Sequence, residues 1–105
     1  MKLQYCKFEV YIPETHVSLL IDALNEKQLL REGHYDSAYC SYPVEGHWRA
    51  LQGANPYEGE IGKMKTLNEI KLEFRTIESQ AEIAYDIIRA IHPYEVPVIN
   101  RMMVF

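Results

Sequence analysis

The chain has 105 residues, 48% hydrophobic and 25% charged, which is enough for one buried core and excludes disordered, collagen-like and low-complexity classes. Its formal charge of -4 leaves no surplus of Lys and Arg to neutralise phosphates, so nucleic acid is not an expected partner. No apolar run approaches the ~20 residues of a membrane span. Lys2, Gln4, Lys7 and Glu9 also interrupt any signal-peptide core, so a single cytoplasmic domain over residues 1–105 is expected.

In chain order, Cys6, Phe8, Val10 and Ile12 alternate with Lys7, Glu9 and Tyr11, which predicts a strand with one apolar face. Pro13 and Glu14 then open a helix on which Val17, Leu20, Ile21 and Leu24 share one side. After Gly33, HYDSAYCSY alternates and predicts a second strand. HWRAL reads as a short extra strand paired with the SAYCSY segment, followed by the loop GANPYEGEIGK.

The opening then repeats at an offset of 64. KFEVYIPE at Lys7–Glu14 returns as KLEFRTIE at Lys71–Glu78, and Ala81, Ala84, Tyr85 and Ile88 reproduce the first helical stripe. VPVINRMMVF supplies a last strand, with Pro97 bending the chain near a sheet edge. The order βαββαβ predicts an α+β, ferredoxin-like fold: a four-stranded antiparallel sheet, two helices on one face and an elaborated hairpin between the second and third strands. Lys7, Glu9, Tyr11, Lys71, Glu73 and Arg75 fall on the other face. Eight tyrosines, among them Tyr35, Tyr39, Tyr42, Tyr57 and Tyr94 outside the helical stripes, suit an interface.

Three segments carry the candidate chemistry. Just past the second helix, His92, Tyr94 and Glu95 bring imidazole, phenol and carboxylate together for a metal or a small ligand; equally, His92–Pro93 is a helix stop. The glycine loop invites a phosphate cradle through Gly53, Gly59, Gly62 and Lys63, with Asn55 opening its turn and counted among the candidate ligand-binding residues. It departs from a P-loop, because Tyr57 stands in place of the first glycine and Met64 in place of the hydroxyl residue, and turn chemistry accounts for it more simply. His34 and Cys40, with Asp36 and His47, are candidate metal ligands across a hairpin, although no fixed spacing supports them. Cys6 and Cys40 form no C-x-x-C pair, and no catalytic constellation is present, so the expectation is not an enzyme.

GHYDSAYCSY, HWRALQGANPYEGEIGK and AIHPYE, taken in register, resemble the small PII-like domain of YqfO-type (Nif-three-like) proteins, a domain that also occurs as a short free-standing protein. HPYEVP is similar to the closing motif of the CutA proteins. The resemblance spans essentially the whole chain. It implies a homotrimer with the sheets facing the three-fold axis, and a non-catalytic binding or regulatory module for a small ligand at clefts between subunits. The CutA likeness implies an alternative, a divalent metal ion as the one candidate cofactor, held by His92 and Glu95 with Met102 or Met103 as soft donors. Two positions depart from the family pattern N-Y-x-x-C: His34 replaces its Asn and Ala38 its Cys, with Cys40 two residues on. The dinuclear metal centre of the long relatives lies in their flanking halves and does not carry over to these residues.

Overall fold

A computed structural model describes residues 3–105. Strands β1 (Tyr5–Ile12), β2 (Cys40–Arg49), β3 (Met64–Ile77) and β4 (Ile99–Val104) form one sheet in the order β2-β3-β1-β4, every neighbouring pair antiparallel. Helices α1 (Val17–Glu26) and α2 (Ala81–Ile91) cover one face of it. This is the α+β, ferredoxin-like arrangement that the repeat predicts.

The offset of 64 persists in the backbone. A 3-10 turn at Glu14–His16 leads into α1 and its counterpart at Glu78–Gln80 leads into α2. Phe8, Val10 and Ile12 of β1 and Leu72 and Phe74 of β3 meet Leu20, Ile21 and Leu24 of α1 and Ala84 and Ile88 of α2 in one core. The Phe8 and Phe74 rings stack at 5.1 Å across the central pair. Leu29 and Leu30, just beyond the α1 stripe, are buried in the same core. Gln28 adopts a positive φ that turns the chain back over the helix end and delivers them there.

Two expected elements differ. Residues 34–39 form no strand; Glu32 and Tyr35 exchange backbone hydrogen bonds of 2.9 and 3.0 Å around Gly33, whose φ is +58°, and Arg75 clamps the turn through both Glu32 oxygens at 2.7 and 2.9 Å. HWRAL is no separate strand either. His47, Trp48 and Arg49 complete β2, in unbroken register from Cys40 opposite Glu73 to Arg49 opposite Met64. Pro43 is tolerated inside β2 because β2 is an edge strand. β4 is the other edge, and the chain bends at residues 94–96, ahead of Pro97.

The face without helices carries the charged residues in alternating sign. Lys7 and Lys71 each lie within 4 Å of both Glu9 and Glu73, and the Tyr42 hydroxyl donates to Glu73 at 2.9 Å. The Tyr42 hydroxyl, followed by Lys71 and Lys7, holds the Glu73 carboxyl below the usual carboxylate range. Among the described residues, no helix is long and apolar enough to cross a membrane.

Candidate functional site

β1 stops at Ile12, opposite Ile70, whereas β2 and β3 stay paired six residues further, to Arg49 and Met64. A two-stranded arm therefore projects past the sheet. Strand alternation puts Val44, Gly46 and Trp48 on its helix-free side together with Leu67 and Glu69. Residues 50–63 fold back over this side, and residues 92–98 cross from the end of α2 towards β4. Together they wall a cleft of about 600 Å³ lined by Tyr11, Trp48, Tyr57, Glu69, Tyr94 and Glu95, among others.

The crossing segment is set by His92. Pro93 bars the preceding residue from the helix, so α2 ends in an extended His92, a residue only 7% exposed. Nδ1 accepts the Tyr94 N–H at 3.2 Å; Nε2 therefore carries the proton and donates to the Tyr11 carbonyl at 2.6 Å. Burial pushes the His92 pKa below its ordinary value, only partly offset by the Tyr11 carbonyl, so the ring is neutral. His92 thus pins the last helix to β1 and fixes where Tyr94 emerges.

Tyr94 fills the centre of the site. Its ring lies 4.9 Å from His92, 5.6 Å from Trp48 and 5.9 Å from Tyr57, and its hydroxyl donates to Glu69 at 2.8 Å. Burial, reinforced by the Glu69 carboxylate, pushes the phenol pKa far up, so Tyr94 remains a proton donor. Glu69 is 6% exposed and reaches over Gly46: a Cβ at Gly46 would collide with the Glu69 carboxylate. A glycine inside a strand marks such close approach. The backbone N–H of Asn55 donates to Glu95 at 3.0 Å, which ties the glycine loop to the crossing segment across forty residues of chain.

Of the candidate residues, Tyr94 and Glu95 line the cleft, Asn55 closes it and His92 supports it from behind. Gly53, Gly62 and Lys63 do not line it. Gly53 and Gly62 hold positive φ in the loop, Gly62 gives its N–H to Ala50 at 2.7 Å, and Lys63 pairs with Glu60 at 2.8 Å. His34 sits in the Glu32–Tyr35 turn and Cys40 at the start of β2; among the described residues, no three His, Cys, Asp or Glu side chains gather as a metal site. Met102 and Met103 lie opposite Lys7 and Cys6, hence on opposite faces of β4. The sequence reading missed Trp48 and Glu69. Gly46, flanked by alternating residues and two places from a tryptophan, was the signal available.

A four-stranded antiparallel sheet with two helices on one face defines the ferredoxin-like class of small α+β domains. Among solved structures, the fold matches a Bacillus cereus protein related to NIF3 with a TM-score of 0.83 at 19% identity, over 99% of this chain and 27% of that one. It also matches the periplasmic divalent cation tolerance protein CutA of Archaeoglobus fulgidus, with a TM-score of 0.70 at 16% identity, over 95% and 83% of the two chains. By sequence, the chain is 37% identical over 98 residues to the GTP cyclohydrolase 1 type 2 homolog of Staphylococcus aureus. That alignment covers 91% of this chain and 26% of the relative, so the chain spans about a quarter of the curated proteins it matches. Over those residues the chain is similar to one segment of these longer proteins, and its fold is that of the corresponding segment of the NIF3-related structure. No family model matches the chain.

Proposed function

We propose that this chain is a non-catalytic, PII-like binding or regulatory module that assembles as a homotrimer through its helix-free sheet face and holds a small ligand in clefts at the subunit boundaries. The observation that carries the reading is the Asn55–Glu95 closure, which turns an open strand arm into a walled cleft on the face that lacks a helical cover. Exposed apolar side chains around that face, including Leu51, Tyr57, Val96 and Val98, give a second copy something to bury. Alternating Lys and Glu on the sheet favour contact between like surfaces over plain repulsion.

Thermal denaturation with nucleotides, small organic cations and divalent metals, on wild type and Gly46→Ala, tests the proposal. A ligand of the cleft raises the wild-type Tm in proportion to the logarithm of its concentration. In Gly46→Ala the new methyl displaces the Glu69 carboxylate, the flexible end of its side chain, so the variant folds but binds more weakly by roughly tenfold. No shift with any compound, or equal shifts in both proteins, would contradict the proposal.

The metal-binding alternative makes a separate demand on His92. Both of its ring nitrogens are committed to backbone partners, so coordination would first have to break one of those bonds. Calorimetry with copper and zinc is expected to give equal binding by wild type and His92→Gln. Loss of binding in the variant would make His92 a ligand.

A further inference from the structure

We infer that the cleft selects an organic cation, a ligand bearing an alkylammonium or quaternary ammonium group, over nucleotides and other anions; the inference deepens the binding reading above and rests on it. Three features of the lining carry it. The rings of Trp48, Tyr94 and Tyr57 all line the cleft and follow one another at 5.6 and 5.9 Å, tilted by 53° and 45°, so they do not stack flat on one another. Aromatic faces arranged in this way attract a cation through the ring quadrupole, most strongly where water is excluded.

The second feature is uncompensated negative charge. Glu69 is 6% exposed, yet among the described residues its only hydrogen-bond or ion-pair partner is the Tyr94 phenol. Glu95 accepts a backbone amide and is likewise without a cationic partner among those residues. Glu58, also in the lining, is shared with Lys65 at 3.7 Å. A shielded carboxylate held by a neutral donor alone is under-compensated, and an entering cation supplies what it lacks.

The third feature is the position of the positive groups. Arg49 borders the cleft, but strand alternation directs it to the opposite side of the arm from Trp48, beside Met64. His47 is turned the same way and bonds Glu45 and Thr66. Lys65, across from Trp48 on the same side of the arm, is engaged by Glu58 at 3.7 Å, which leaves Glu69 and Glu95 to meet a ligand that enters between the rings; an ammonium group there meets aromatic faces backed by those carboxylates.

Trp48 is the chain's one tryptophan, so its emission reports on this cleft directly. The test titrates the whole protein with choline, with tetramethylammonium, with the uncharged carbon isostere of choline, in which a tert-butyl group replaces trimethylammonium, and with adenosine monophosphate. The expected result is a saturable change in Trp48 emission with the ammonium probes, at affinities about tenfold or more tighter than for the uncharged isostere. Glu69→Gln keeps the side-chain shape and can still accept the Tyr94 hydroxyl; it is expected to weaken ammonium binding by about tenfold while leaving the isostere unchanged. If the isostere or the nucleotide binds as tightly as choline, the charge preference is wrong and the cleft remains a binding site. If none of the four gives a saturable change, this inference and the binding reading fall together.

Discussion

Replacing Phe8 with alanine should lower the unfolding free energy by about 3–5 kcal/mol, the range for deleting a fully buried aromatic side chain. Phe8 has no exposed surface, stands at the centre of β1 and stacks on Phe74, its antiparallel partner on β3. β1 is central in the sheet and packs beneath the repeated helices, so the two halves have little freedom to collapse into the space left behind. Urea unfolding at a fixed protein concentration measures the loss, since subunit association would otherwise shift the midpoint. A loss below about 1 kcal/mol would mean that Phe8 does not sit at the junction of the two repeats.

His92→Ala should cost about 2–5 kcal/mol at neutral pH, because it leaves the Tyr11 carbonyl and the Tyr94 N–H without partners and opens a small void. The cost should also depend on pH. Burial holds the folded-state pKa of His92 below the usual histidine value of about 6.5. Above that value the ring is neutral in both folded and unfolded chains, and its titration contributes nothing. As pH falls below about 6.5, the unfolded chain takes up a proton that the folded one resists, so wild-type stability declines until the lower folded pKa is reached. The alanine variant lacks this contribution, and the gap between the two proteins should narrow from about pH 7.5 to about pH 5. A gap that stays constant or widens would show that His92 carries a proton in the folded state.

The fold was legible because its cues are local and duplicated. Strand alternation and helical spacing recur 64 residues apart, from Phe8 and Leu72 to Leu20 and Ala84, and each copy supports the other. HWRAL, whose alternation suggested a strand of its own, instead continues β2 through Pro43 and Gly46. Both have a tertiary licence: Pro43 lies on an edge strand, and Gly46 makes room for the Glu69 carboxylate. HYDSAY alternates like a strand, yet the Arg75–Glu32 clamp and the turn at Gly33 prevail over its pattern.

The candidate site was legible only in halves. The motif after α2 and the glycine loop both drew notice, but the contact that joins them, Asn55 to Glu95, spans forty residues and leaves no periodic trace. Trp48 and Glu69 fell on strands, where a sequence pattern reports which face a residue occupies but not what closes over it. His92, the most suggestive residue by type, instead spends both nitrogens on holding the backbone.

The mass of the protein in solution tests the central claim, that copies of this chain cover the helix-free face and bring the cleft to a subunit boundary. Light scattering at micromolar concentration should give three times the 12.3 kDa of one chain, and should fall towards a single chain when Lys71→Glu gathers its new carboxylate with Glu9 and Glu73 on the helix-free face that every copy would present. A wild-type mass of 12.3 kDa at that concentration would contradict it.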